Sequence, residues 1–371
     1  MANKITVALA GLGSRGKDTY AKAAKIHPDK IEIVAIADVN PKKVEMVAEE
    51  YHVPKERCYT SAEEMLKEEK LADVMFITTQ DRQHVAQAIP ALRKGYHLLL
   101  EKPISPDLDE CREIVEVAKE CDRKVVVCHV LRYTPVFRKV KEILDSGVIG
   151  DIVSINASEN VGWFHMAHSF VRGNWRNKEL SSPMILQKCC HDMDLYLWLA
   201  DKKCKSLSSF GSTYLFKEEN APEGCTKRCL DGCKVKATCP YDAESIYLDS
   251  ERIGARNGNT RWPLDVVTEI PTPESVEEAL KTGPYGRCVY HCDNDVVDHQ
   301  VVNLNMTDGS TMSFSMNGHT ADFARHAQFC GTKGEMNVTM GSWDVEDDFI
   351  ETTLFGAKLK TELIPASELS D

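Results

Sequence analysis

In "ILQKCCHDMDL", from Ile185 to Leu195, a lysine, two adjacent cysteines, a histidine and two aspartates crowd into seven positions among aliphatic residues. Metal binding, thiol attack and acid–base chemistry all draw on these side chains. Apolar positions at Met193, Tyr196, Leu197 and Ala200 recur with helical period and predict one amphipathic helix from Gln187 to Ala200. On it Gln187, His191, Asp194 and Trp198 share a face. Neighbouring helical residues point about 100° apart, so Cys189 and Cys190 pair poorly with His191 as a nucleophile–base couple and make poor zinc ligands beside it. The cysteines read as small buried residues, and on the residues alone His191 reads as a satisfied core histidine more readily than as a base.

A second candidate is "GLGSRG", comprising Gly11, Leu12, Gly13, Ser14, Arg15 and Gly16, directly after an apolar strand. Gly11 permits a tight turn, Gly13 lets the backbone approach a pyrophosphate, and Gly16 lets the next helix pack close. The helix N-terminus adds N–H donors and a positive dipole end for phosphates. Asp38, 22 residues past Gly16, ends the second strand, where a carboxylate reaches a ribose diol and repels a 2′-phosphate. NAD is therefore expected over NADP, although Arg15 and Lys42 leave room for NADP.

"EKP", Glu101 to Pro103, ends the fourth major strand, at the edge where open α/β sheets bind ligands. Lys102 there could stabilise an alkoxide; it could equally be a surface lysine before a chain-breaking proline. The loop "GWFHMAHSFVRGNWRN" carries His165, His168, Arg172, Trp175 and Arg176. Rings stack on sugar C–H faces and charged donors take hydroxyls, so the loop suits a polyhydroxy ligand as well as it suits plain packing. "CTKRCLDGCKVKATCPY" places Cys225, Cys229, Cys233 and Cys239 within fifteen residues. Four thiolates in a loop of little apolar content fit a structural zinc that replaces a missing core. Unliganded thiols fit equally, and an iron–sulfur cluster fits less well because the spacing matches no ferredoxin run. "CVYHC", Cys288 to Cys292, adds two thiols and His291 that could complete such a site.

The elements that position these groups divide in two. Up to His129, apolar β-branched runs alternate with helical segments, which predicts a doubly wound parallel sheet over residues 1–129. Residues 130–371 change rhythm: "DIVSINASENV" and later strands alternate in polarity, predicting an α/β domain with a large, mostly antiparallel open sheet. An irregular stretch, about 216–293, interrupts it.

In order along the chain, "GLGSRG", Asp38, "EKP", "LRYTPVFRKVKEILDSGVIGDI" and "HDMDLYLWL" resemble the glucose-fructose oxidoreductase/inositol dehydrogenase family, also called Gfo/Idh/MocA. The resemblance implies an N-terminal Rossmann domain, a C-terminal sheet that forms a homodimer or homotetramer, and NAD(P)-linked oxidation or reduction of a sugar, glycoside or inositol. It assigns Lys102, after a cis peptide to Pro103, to the substrate hydroxyl, and places Thr79, His84 and Glu101 with the glycine turn around the cofactor. His191 becomes the general base and Asp194 a substrate ligand; Arg132 and, from the chemistry of their loop, His165, Arg172 and Trp175 are further expected substrate contacts. The family pattern is D-x-x-x-H-x-x-D, and Gln187 departs from it. An amide orients groups but takes no proton, so Lys188 is expected to contribute or Lys102 and His191 to suffice.

The chain of 371 residues, 43% hydrophobic and 27% charged, has the composition of a folded protein long enough for two cores. A formal charge of −12 argues against nucleic acid or an anionic membrane as partner. No apolar run reaches the ~18 to 20 residues of a membrane span, and a cytoplasmic location is expected, with the 14 cysteines reduced. Two other readings use the same parts: a glycosidase that oxidises a ring hydroxyl with bound NAD and returns the hydride, and a dinucleotide-binding regulator without turnover.

Overall fold

The computed structural model describes residues 4–341 and 348–369. It divides into two compact units, Met1–His129 and Val130–Asp371.

In the first unit β1 (Ile5–Ala10), β2 (Ile31–Ala37), β3 (Cys58–Tyr59), β4 (Val74–Ile77), β5 (His97–Leu100) and β6 (Val125–Val127) form a sheet in the order β3-β2-β1-β4-β5-β6. All five pairings are parallel, and the strand order reverses direction between β1 and β4. Such a reversal opens a crevice at the carboxyl ends of the strands, next to the glycine turn that follows β1. Helices cover both faces because the strands are apolar throughout. Ala8, Met75, Ile77, Leu98 and Leu100 pack on one side; Leu9, Ile33, Ile36 and Val47 pack on the other. Asn40 caps the helix Pro41–Tyr51 by accepting from the Lys42 amide, with proline at the first helical position, where no N–H is needed.

In the second unit β7 (Ile152–Asn160), β8 (Cys204–Ser212), β9 (His299–Met306), β10 (Thr311–Asn317), β11 (Ala324–Gly331), β12 (Gly334–Gly341), β13 (Phe349–Leu354) and β14 (Lys360–Pro365) form one sheet, ordered β14-β13-β12-β11-β7-β10-β9-β8. Only the β7–β10 pairing is parallel. One face is buried: Val302, Leu304, Met312, Phe314, Phe329, Met336 and Val338 meet helices carrying Phe137, Val140, Leu195 and Tyr196. The alternation of buried and exposed residues along β9 and β10 is the period-two signal seen in the sequence.

Two sequence expectations change here. The predicted helix Gln187–Ala200 is broken: a short helix, Met184–Gln187, ends at Lys188, and a second runs Cys190–Ala200. The insertion does not lack a core. Ala243, Ile246, Tyr247, Leu248, Ile253, Leu264, Val276, Leu280 and Tyr285 bury together around the helix Pro273–Thr282, so any metal there supplements apolar packing rather than replacing it.

Candidate functional site

The glycine turn is built as its spacing requires. Gly11 has φ +89°, and a Cβ there would stand 2.5 Å from the Thr78 carbonyl oxygen. A Cβ on Gly16 would lie 2.0 Å from the Gly11 carbonyl oxygen, so only glycine lets the helix start fold back onto the turn. Over Gly13 nothing lies within 4 Å of a Cβ position, which leaves the backbone open to a ligand. Ser14 and Arg15 are exposed at the helix start, whereas the Leu12 side chain is buried. Asp38 ties this turn to the end of β2: Leu12 N donates to its Oδ2 at 2.6 Å and Asn40 N to its Oδ1 at 2.8 Å. Thr78, which the resemblance places only as the start of the Thr78–His84 cofactor segment, donates its hydroxyl to the Gly11 carbonyl at 2.7 Å and holds the turn from just past β4.

At the end of β5, Glu101 is buried, accepting from the Tyr20 hydroxyl at 2.6 Å and from its own neighbour, Lys102 N, at 2.9 Å. Arg15 reaches it only at 3.9 Å. Tyr20, a residue the sequence did not single out, therefore anchors the strand end that carries Lys102. Burial, then the Glu101 charge, raises the Tyr20 phenol well above its ordinary value, so it serves as a donor. The Lys102–Pro103 peptide is cis. His84 is almost wholly buried, with Nδ1 2.7 Å from the Pro103 carbonyl oxygen and Nε2 3.2 Å from that of Thr79. Both ring nitrogens thus lie against backbone carbonyls, and the residue braces the lysine loop. Thr79 Oγ1 is likewise engaged, donating to Gln87 at 2.8 Å.

In the second unit His191 lies 8% exposed on the helix Cys190–Ala200. Three residues on, Asp194 is gripped by Arg132 through two hydrogen bonds, Nε to Oδ2 at 2.7 Å and Nη2 to Oδ1 at 2.5 Å. The Arg132 guanidinium also lies over the Trp198 ring. Two residues expected to touch substrate separately thus form one planar ion pair. Gln187 is buried: its Nε2 donates to the Trp175 carbonyl at 2.9 Å, and its Oε1 accepts from the Ser181 hydroxyl at 3.3 Å. Because the chain breaks after it, Gln187 does not share a continuous helix face with His191, and its amide holds the Trp175 carbonyl.

Lys188 pairs with Glu159 at 2.8 Å, and Arg325 joins Glu159 at 2.7 Å to Asp192 at 2.8 Å. Glu159, Asp192 and Arg325 are all buried. Burial alone would raise the Glu159 carboxyl, but Arg325 and Lys188 outweigh it and hold it below the ordinary glutamate value. Burial, with the Glu159 charge, pushes Asp192 up to about 6 despite Arg325. Burial and the nearby Lys188 charge drive His165 well below the ordinary histidine value, so its ring is neutral, edge-on to Trp262. Burial also pushes the Cys189 thiol well up, which fits packing and not attack.

Arg172 is a correction. It is wholly buried, and its donors go to the carbonyls of Arg287 at 2.7 Å and Tyr241 at 2.6 Å and to Cys229 Sγ at 3.6 Å, none of them ligand-facing. Trp175 keeps an exposed ring. The cysteine set is redistributed as well. Among the described residues the group whose ligand atoms lie within 4.8 Å of one another is Cys225, Cys288 and His291, not Cys225, Cys229, Cys233 and Cys239.

Residues 5–129 match the family model described as an oxidoreductase family with an NAD-binding Rossmann fold, and residues 137–230 match the model of the GFO/IDH/MocA C-terminal domain. The chain belongs to the Gfo/Idh/MocA family of oxidoreductases. Among relatives of this Gfo/Idh/MocA chain, YteT of Bacillus subtilis (strain 168) is 25% identical over 289 residues, 77% of this chain and 64% of YteT. The inositol 2-dehydrogenase of Corynebacterium glutamicum (strain R) is 24% identical over 223 residues, 56% of this chain and 57% of that enzyme. The chain thus spans less than two thirds of either relative. The fold is shared with the WlbA dehydrogenase of Bordetella pertussis in complex with NADH and UDP-GlcNAcA, at TM-score 0.63, 19% identity, 91% of this chain and 80% of that one. It is shared also with the aldose-aldose oxidoreductase of Caulobacter crescentus complexed with glycerol, at TM-score 0.65, 13% identity, 99% of this chain and 88% of that one.

The dinucleotide that the Gfo/Idh/MocA fold implies fits the first unit. The open backbone over Gly13, the helix that starts beside it and the Asp38 carboxylate at the end of β2 are the parts a pyrophosphate and a ribose diol require. Among the described residues no helix is long and apolar enough to cross a membrane.

Proposed function

We propose that the chain is an NAD-linked dehydrogenase acting on a ring hydroxyl of a sugar, glycoside or inositol, with Lys102 and His191 as its catalytic residues. The observation that carries the reading is the glycine turn with Asp38 bonded across it, in a chain that also carries a strand-end lysine and a buried helix histidine. Asp38 favours NAD over NADP because a carboxylate so placed repels a 2′-phosphate.

Bound NAD would supply the hydride acceptor. Lys102 would donate a hydrogen bond to the oxygen of the reacting hydroxyl and favour its alkoxide, and His191 would take the hydroxyl proton. Asp194, held by Arg132, would accept from a neighbouring hydroxyl. The exposed Trp175 ring would offer a stacking face, set in place by Gln187. The names of relatives support a polyol or sugar-nucleotide substrate class, since one is an inositol dehydrogenase and another is held with UDP-GlcNAcA. A homo-oligomer through the open sheet is part of the reading, supported by the exposed cross-strand pair Phe210 and Val301 on its outward face.

The test is NADH formation across a panel of inositols, hexoses, glycosides and sugar nucleotides. Steady NADH formation from at least one member, lost in Lys102→Ala and His191→Ala, is expected. NADH binding with no turnover on any member, or aglycone release without net NADH, would overturn simple dehydrogenation.

A further inference from the structure

The insertion brings together, across more than sixty residues of sequence, groups that no local spacing links. Cys229 N donates to the Gly286 carbonyl at 3.0 Å and Cys288 N to the Lys227 carbonyl at 2.9 Å, with Arg228 and Arg287 in an antiparallel bridge between them. This two-stranded clasp sets Cys225 and Cys229 against Cys288 and the turn that follows. His291 Nε2 comes to 3.5 Å from Cys225 Sγ. In a tetrahedral zinc site, bonds of ~2.3 Å to sulfur and ~2.05 Å to nitrogen place the two ligand atoms about 3.6 Å apart, which the clasp already matches.

Three further observations point the same way. A cavity of about 10 Å³, room for one atom-sized occupant, is lined by Cys225, Cys229, Cys233, Cys239, Cys288 and Arg172. That volume accommodates a single ion. The other ring nitrogen of His291, Nδ1, lies 3.5 Å from Glu218 Oε1, the carboxylate–histidine arrangement that orients a metal-binding imidazole. Finally, Arg172 brings a permanent positive charge into the interior, where its bonds end on two carbonyls and the Cys229 sulfur. A buried charge needs an opposite one. Three thiolates and a neutral imidazole around a divalent ion carry one net negative charge, which balances the guanidinium.

We propose that the insertion holds one structural zinc ion bound by Cys225, Cys288, His291 and Cys229, with Arg172 as its buried counter-charge. Cys229, Cys233 and Cys239 all line the cavity, and Cys229 is taken as the fourth ligand because it accepts the Arg172 hydrogen bond that a bound thiolate would keep; its sulfur lies outside the 4.8 Å group of Cys225, Cys288 and His291 and would close on the ion. The ion fastens residues 225–229 to 288–291. Arg172 carries that restraint into the segment Met166–Arg172, which leads to Trp175, so the metal acts on the loop proposed to hold sugar without touching substrate.

The test uses the full chain, passed over chelating resin and analysed for metals. About one zinc per chain is expected, released when p-hydroxymercuribenzoate titrates the thiols and read with a chromogenic chelator. Cobalt-substituted protein should give the intense visible bands of tetrahedral cobalt with a thiolate charge-transfer band. Cys288→Ser and His291→Ala should lose the metal on the resin, while Cys204→Ser, at an exposed thiol, keeps it. Wild-type protein without stoichiometric zinc, or with iron and acid-labile sulfide, overturns the site even if the variants fail to fold. Zinc retained in full by Cys288→Ser does the same, and an unchanged cobalt spectrum in Cys229→Ser overturns the fourth ligand.

Discussion

The ammonium of Lys188 sits 2.8 Å from Glu159, whose cross-strand partner on β11 is Arg325. The lysine that follows Gln187 is therefore engaged by a fully buried carboxylate that a second cation already shares. Its first role is to complete a charge cluster of two acids and two bases behind the histidine helix. Whether it also replaces the missing aspartate of the family pattern can be separated from that role by measuring stability and turnover together.

Removing one partner of a buried ion pair leaves an uncompensated charge and costs about 3 to 5 kcal/mol. Glu159→Gln strips Arg325 and Lys188 of their shared acceptor and should lower unfolding free energy by about 3 kcal/mol. Lys188→Met, at a partly exposed end of the cluster, should cost about 1 to 3 kcal/mol. Urea unfolding gives both values. If Lys188 is only an ion-pair partner, turnover of Lys188→Met stays within about tenfold of the parent, below the effect typical of losing a general acid–base group. A loss of several hundredfold in a folded protein would assign it to catalysis.

Asp38 accepts from the Leu12 and Asn40 amides, and in the proposed function its charge would also repel a 2′-phosphate. Hydrogen bonds to a charged acceptor are worth about 1.5 to 3 kcal/mol each. Asp38→Ala should weaken NADH binding by roughly 10- to 100-fold and NADPH binding by less, narrowing the preference. Fluorescence titration of both cofactors reads the ratio. An unchanged ratio would remove Asp38 as the discriminating residue.

His84 stands between the Pro103 and Thr79 carbonyls, so its loss acts through the Lys102 loop. Leaving a buried carbonyl unsatisfied costs about 1 to 3 kcal/mol. His84→Ala should destabilise the first unit by that amount and reduce kcat. His84→Asn, whose amide can donate to the Pro103 carbonyl, should recover part of both. Equal kcat in the parent and the alanine variant would show that the loop needs no brace.

Much of the fold was legible because its signals are local. The apolar runs of β1, β2, β4 and β5 and the alternation of β9 and β10 follow directly from which faces are buried. The glycine turn was legible because its spacing directly follows an apolar strand and Gly16 must clear the Gly11 carbonyl five residues back, whereas the demand on Gly11 comes from Thr78, far away in sequence. What escaped was non-local or broke a period. The helix interruption at Lys188 leaves no proline or glycine in the sequence, and Lys188 is drawn instead toward Glu159 on β7. The Glu159–Arg325 pairing joins strands far apart in sequence. The insertion core uses apolar residues scattered among charges, from Ala243 to Tyr285. Cys288 and His291 face Cys225 only because an antiparallel clasp folds the ends of the insertion together.

Asp298 supplies a pH-dependent prediction. It is fully buried at the start of β9 and accepts from the Tyr214 and Leu215 amides at 2.8 and 2.9 Å, with His299 at 2.9 Å and His319 at 3.4 Å. Burial alone would raise its carboxyl, but the hydrogen bonds from His319, His299 and the two amides outweigh it and hold it down to about 2. A carboxylate with a depressed folded pKa stabilises the protein above its unfolded value, near 4, and loses that contribution as pH falls through the folded value. Asp298 should therefore contribute about 2 kcal/mol at pH 6, an amount that shrinks between about pH 4 and pH 2. Asp298→Asn should be less stable than the parent by about that margin at pH 6, and the gap should close as the pH drops toward 2. Parallel urea titrations from pH 6 to pH 2.5 follow the gap; a difference that stays constant across this range would mean the carboxylate charge is not what holds the Tyr214–Leu215 turn.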